Sequence, residues 1–259
     1  MIFDLWSEQL IRFILVLGRV GGIFSVAPIF GQARVPVQVR IIIMVALAAA
    51  VAPVAGTVPS FGNAQALAFA LGLFREIIVG LSIGFIASLI MSAAQIAGEL
   101  MDYEIGFGLS GSMDPISNVQ MPVAARFLQM LMTVLFLTSG AHHLLIKALA
   151  DSFVFITPGT ASNLAALSSP MMSIFTVVFV TGVKIAGPIV GLMILCDLAL
   201  GLVARTSPQM NLLMVGMPLK IGAGIAALAV GLPVMALVMT RLLTGMYSDV
   251  LMAAKAMGH

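Results

Sequence analysis

Ionic side chains stand inside the apolar runs of this chain, and the chemistry open to them depends on what neutralises each one. Arg12 and Arg19 lie in the first run, Arg75 and Glu76 in the third, Lys184 and Asp197 in the fifth, and Lys220 in the last. Such groups suit an ion or proton pathway, and they equally suit contacts that lock protein segments together. An Arg or Lys at the centre of a lipid-facing helix costs about 2.5–3.5 kcal/mol on insertion scales. These charges must therefore face protein, water or each other. Other chemistry finds less support. His142 and His143 are neighbours, so on a helix they point about 100° apart and cannot grip one metal as i,i+4 histidines do. Ser110 and Ser112 lie in a Gly-rich stretch that is no nucleophile elbow. Cys196, the single cysteine, has Asp197 beside it but no positioned histidine, and it allows neither an internal disulfide nor a CxxC site. No Walker loop is present. No catalytic residue, cofactor or metal site is expected. Two classes remain, a structural membrane subunit and a transporter or channel acting alone. A lone transporter would show paired broken helices in two related halves. The Gly and Pro breaks here are not repeated symmetrically.

The elements that must position these charges are membrane helices. Hydrophobic residues make up 61% of the 259 and charged residues 8%, a balance foreign to water-soluble domains. Mean hydropathy is +1.17. Apolar runs at roughly 5–30, 41–58, 64–97, 127–150, 170–203 and 212–243 are each long enough to span about 30 Å of hydrocarbon. Backbone groups in lipid must bond within their own segment, and the runs are continuous rather than alternating. The expected class is all-α. A net charge of +2 is too small to argue for nucleic acid. The start, Met1 to Glu8, lacks a positive n-region and is expected to be retained. A six-span zigzag would put Arg34, Arg40, Arg126 and Arg205 on one side and Lys147, Arg241 and Lys255 on the other. That bias is too weak to orient the chain. Either the protein is a weakly biased transporter, or its helices form no simple zigzag and some are hairpins packed inside an assembly.

Along the first run, Glu8 and Arg12 are spaced for pairing, and Arg19 follows two turns later on nearly the same face. Gly18, Gly21 and Gly22 precede Pro28, so this helix should approach a neighbour closely and then stop. In the third run Gly80, Gly84, Ser88 and Ser92 recur every four residues, a small-residue ridge that lets helix backbones pack tightly. Subunit interface and packing within the chain fit that ridge equally. Residues 98–126 change character. Glu99, Asp102 and Glu104 are followed by Gly106, Gly108, Gly111, Pro115 and Pro122, which make a continuous helix implausible. Yet Phe107, Leu109, Met113, Ile116 and Met121 are interleaved, and a solvated linker would shed them. A pore-facing or plugging loop is the preferred reading, an ordinary connection on the membrane surface the other. Most of the 19 methionines read as plastic packing residues.

The segment Arg205-Thr-Ser-Pro-Gln209-Met-Asn211, followed by Gly216-Met-Pro218-Leu-Lys220, resembles the FliR family of flagellar export-gate proteins and its injectisome relative, SctT. Further matches are Gly18-Arg19, Pro28 to Gly31, Val35-Pro36 with Arg40, Met113-Asp-Pro115 leading into Met121 to Arg126, and Gly140-Ala-His142-His143. They span almost the full length in the expected order. The Gly-Met-Pro-Leu-Lys ending favours the flagellar branch over the injectisome one. The resemblance implies a FliP-like portion over 1–169, including loop 98–126, and a FliQ-like helical hairpin over 170–259. It implies a non-enzymatic subunit that joins FliP and FliQ in the entry pore of the type III secretion system. FlhB would pack against that gate and FlhA would supply the docking platform. Unfolded flagellar proteins would pass across the bacterial inner membrane within the flagellar basal body. By the same resemblance, Gly106, Phe107, Gly108, Leu109, Ser110, Gly111 and Met113 belong to the plug. Arg12, Arg19, Arg75, Glu76, Lys184, Asp197, Arg205, Gln209, Asn211 and Lys220 would be buried polar or assembly contacts. On this view the charges meet complementary groups on neighbouring subunits.

Overall fold

A computed structural model describes residues 2–28, 35–56, 65–107, 122–160, 163–206 and 212–258. Among them the elements are α1 (Ile2–Val26), α2 (Val37–Val51), α3 (Gln65–Ile105), α4 (Val123–Thr138), α5 (Ala141–Phe155), a 3-10 turn (Leu164–Leu167), α6 (Ser168–Thr206) and α7 (Leu212–Met257). No strand occurs among the described residues, and the chain is an all-α membrane protein. Among the described residues four helical stretches are long and apolar enough to cross a membrane: Glu8–Val26, Ala66–Ile105, Leu164–Thr206 and Gly216–Met257. By length and composition, the pair α4 and α5 would make a fifth if it counts as one span.

Four of the expected runs end elsewhere. The run 41–58 becomes α2, only 15 residues long and stopping at Val51 just before Pro53, so it is too short to be a span. The other three differ for local reasons. Helix α3 continues eight residues beyond 97, because Glu, Leu and Met are good helix formers even where hydropathy falls. It stops where Gly106 takes φ +92°, a conformation that glycine adopts without strain. The run 127–150 is two helices, α4 ending at Thr138 and α5 beginning at Ala141. Gly140 at φ +73° makes the break, within the polar stretch Thr138-Ser139-Gly140-Ala-His142-His143 that interrupts the apolar run. Helix α7 runs past 243 to Met257, with Leu243, Met246, Val250, Ala253, Ala254 and Met257 all buried. Polar residues between them lower the hydropathy while the helical period persists.

The chain folds as two compact units, each built from separated stretches. The first comprises residues 1–90, 139–175 and 243–259, the second 91–138 and 176–242. In the first, Leu15, Val20 and Ile23 of α1, Ile83 and Ile86 of α3, Leu149 of α5 and Met246 of α7 are buried. Glycine brings its helices into backbone contact. A Cβ on Gly80 would strike the carbonyl oxygen of Arg19, and one on Gly84 would lie 2.7 Å from that of Ile23. In the second, Ala97, Met101, Leu128, Met132, Ile189, Met193 and Met239 are buried. Helices α6 and α7 stay largely uncovered. Only 22% and 11% of their most apolar windows are buried, against 50% for α3.

Candidate functional site

Arg19 is fully buried, and its surroundings explain how a membrane helix tolerates it. The glycine contacts between α1 and α3 place it against Glu76, whose Oε2 accepts from Arg19 Nε at 2.7 Å. Nη1 donates to Ser152 Oγ at 3.0 Å, and Nη2 to the Ile156 carbonyl at 2.9 Å. That carbonyl is free because Ile156 turns to extended backbone at the end of α5. The guanidinium also lies 3.9 Å from the Phe153 ring centre. The other oxygen of Glu76 accepts the Gly159 N–H at 3.0 Å. Two buried charges carry a heavy desolvation cost, which is offset only when geometry is good and the remaining donors and acceptors are met. Here they are met by α1, α3, α5 and the turn after α5. The arrangement is a staple rather than a conduit.

The remaining charges divide by exposure. Asp197 on α6 and Lys220 on α7 pair at 2.7 Å, partly open on the chain's surface. Arg75, Lys184 and Arg205 are exposed, Lys184 midway along the apolar α6. Arg12 is half-buried, its shielded Nε without a hydrogen-bond partner among the described residues. Thus Arg19, Glu76, Asp197 and Lys220, expected to meet groups on neighbouring subunits, find partners inside the chain. Gln209 and Asn211 lie outside the described residues. Of the small-residue ridge, Gly80 and Gly84 press on α1, while Ser88 and Ser92 are half-buried.

The expected plug begins within the described residues and then leaves them. Gly106 and Phe107 are half-buried, whereas Gly108, Leu109, Ser110, Gly111 and Met113 lie outside. Both roots of this segment are tied down by a residue not singled out in the sequence. Asp102, 5% exposed, accepts the Ala124 N–H on Oδ1 at 2.7 Å and the Ala125 N–H on Oδ2 at 2.9 Å. Helix α4 starts after Pro122, whose carbonyl takes the first helical bond from Arg126 and whose side chain offers no acceptor. A helix start leaves its first amides orphaned, and a carboxylate there also meets the positive end of the helix dipole. Pro122 at the start of α4, 20 residues after Asp102, was the available clue. Beside these roots an apolar cavity of about 430 Å³ is lined by Phe107, Val123, Phe127, Ile225, Leu228 and Leu232, among others. It presents no group that could hold an ion.

Long apolar helices and an ionic contact sealed within the chain define an all-helical, multi-pass membrane protein. Residues 10–246 match the family described as bacterial export proteins, family 1. The chain is 32% identical over 221 residues to the flagellar biosynthetic protein FliR of Bacillus subtilis, covering 84% of this chain and 85% of that one. It is 32% identical over 162 residues to the FliR of Escherichia coli, covering 62% of each. To the Yop proteins translocation protein T of Yersinia pestis it is 27% identical over 224 residues, covering 85% of each. The chain belongs to the bacterial export proteins, family 1, and within it to the FliR family. It is an export-gate subunit of type III secretion, on the flagellar side.

Proposed function

We propose that this chain is a non-enzymatic wedge in the flagellar export gate, assembling with FliP and FliQ in the bacterial inner membrane. FlhB and FlhA are its further partners, and unfolded flagellar subunits are the cargo. Residues 1–169 act as the FliP-like part and 170–259 as the FliQ-like hairpin. The observation that carries this reading is the exposure of Lys184 midway along α6, a helix apolar enough to span a membrane, with Arg75 likewise exposed on α3. A cation at mid-helix is costly against lipid and is accommodated when a neighbouring protein covers it. The scant burial of α6 and α7 points the same way.

Residues 106–111 and Met113 serve as the plug that closes the pore at rest. Extraction in mild detergent should recover a stable hetero-oligomer of small helical subunits. A single chain that instead moves a small solute in liposomes with saturable kinetics would make it a transporter. Deleting residues 106–111 should leave the complex assembled but leaky to ions. A tight membrane after that deletion sinks the plug assignment.

A further inference from the structure

We infer that Asp102 is a positioning residue of the gate, a latch that holds the end of α3 to the start of α4. One residue handles both roots of the segment between them. Its backbone carbonyl accepts the Gly106 N–H at 3.1 Å, the bond that closes α3. Its carboxylate accepts the first-turn amides Ala124 and Ala125 and so begins α4. These two amides are the pair that a Ser, Asp or Asn at the helix's own start would satisfy. Pro122 leaves that role vacant, and an acid from another helix fills it across 22 residues of sequence.

Packing leaves the latch little slack. A Cβ on Gly98, one turn before Asp102, would overlap the backbone of Ala125, so the two helices touch at that point. The carboxylate is almost sealed from water and its bonds are charge-assisted, each stronger than a neutral one. An ordinary cap stabilises its own helix. This one makes the beginning of α4 conditional on the position of α3, and so fixes where the chain departs at Gly106 and where it returns at Pro122. The inference rests on the reading that residues 106–111 close the pore. Asp102 acts through α4 and never on cargo.

The test separates capping from tethering. In the intact complex, Asp102→Ala should raise ion leak across the membrane roughly tenfold or more, the scale set by losing charge-assisted bonds. Asp102→Asn keeps one carbonyl acceptor and should leak less than Asp102→Ala. Adding Pro122→Asp to Asp102→Ala supplies a local cap to α4 without a tether. It should restore recovery of the complex and leave the leak in place. The latch is overturned if Pro122→Asp abolishes the leak, since capping alone then suffices. It is equally overturned if the Asp102 variants assemble and stay tight, or if none of them assembles even with Pro122→Asp. Deletion of residues 106–111 distinguishes the two ideas. A leaky deletion beside a tight Asp102→Ala discards the latch and keeps the plug, while two tight variants discard both.

Discussion

Replacing Glu76 with leucine removes the only carboxylate bonded to the fully buried Arg19 guanidinium among the described residues. Ser152 Oγ, the Ile156 carbonyl and the Phe153 ring remain, but none carries a compensating charge. Breaking a buried pair from one side costs about 3–5 kcal/mol. The Gly159 N–H also loses its acceptor, a smaller loss because that residue is half-buried. Arg19→Met strands Glu76 in the same way and should cost a similar amount. The double variant Arg19→Met/Glu76→Leu leaves no charge behind. What it forfeits is the net value of neutral hydrogen bonds, about 1 kcal/mol each, and a desolvated cation–π contact of about 2 kcal/mol. Its hydrophobic replacements recover part of that. The double variant should therefore be milder than either single. Thermal loss of the monodisperse peak in mild detergent reads this directly. Each single should fall by on the order of 10 °C, at 2–4 °C per kcal/mol for a chain of this size. A double variant whose loss equals the sum of the singles would refute the staple, since independent sites add.

Other outcomes follow from the contacts. Gly80→Ala pushes a methyl group into the Arg19 carbonyl and should destabilise the monomer by about 1–3 kcal/mol, the usual cost of overpacking, seen as a lower melting point. Unchanged melting would mean that α1 and α3 are not held at that distance. Lys184→Ala and Arg75→Ala should do the reverse of Arg19→Met. Both residues are exposed, so monomer expression should hold while recovery of the hetero-oligomer drops. Equal recovery of the complex would place these two cations in water.

Composition alone determines much about this protein. Long runs of apolar residues in a medium without hydrogen-bonding solvent can only be helices, and the Arg205–Lys220 segment carries the family resemblance. Hydropathy misses the extension of α7 from 243 to Met257, because polar residues interrupt the apolar run while the helical period persists. Tertiary structure decided the rest. The polar stretch Thr138 to His143 marks an interruption in the sequence, but it does not reveal the left-handed Gly140 backbone that divides α4 from α5. Nor could spacing tell that Arg19 finds Glu76 at 57 residues' distance and Ser152 at 133, or that the Gly80–Gly84 step serves α1. Asp102 looked like one of three acids at a helix end until Ala124 and Ala125 were seen beside it. Pairing between charges acts through space and falls steeply with distance, whereas sequence records only order along the chain. An identical arginine can thus be a sealed staple or an outward contact, and only the packed helices tell which.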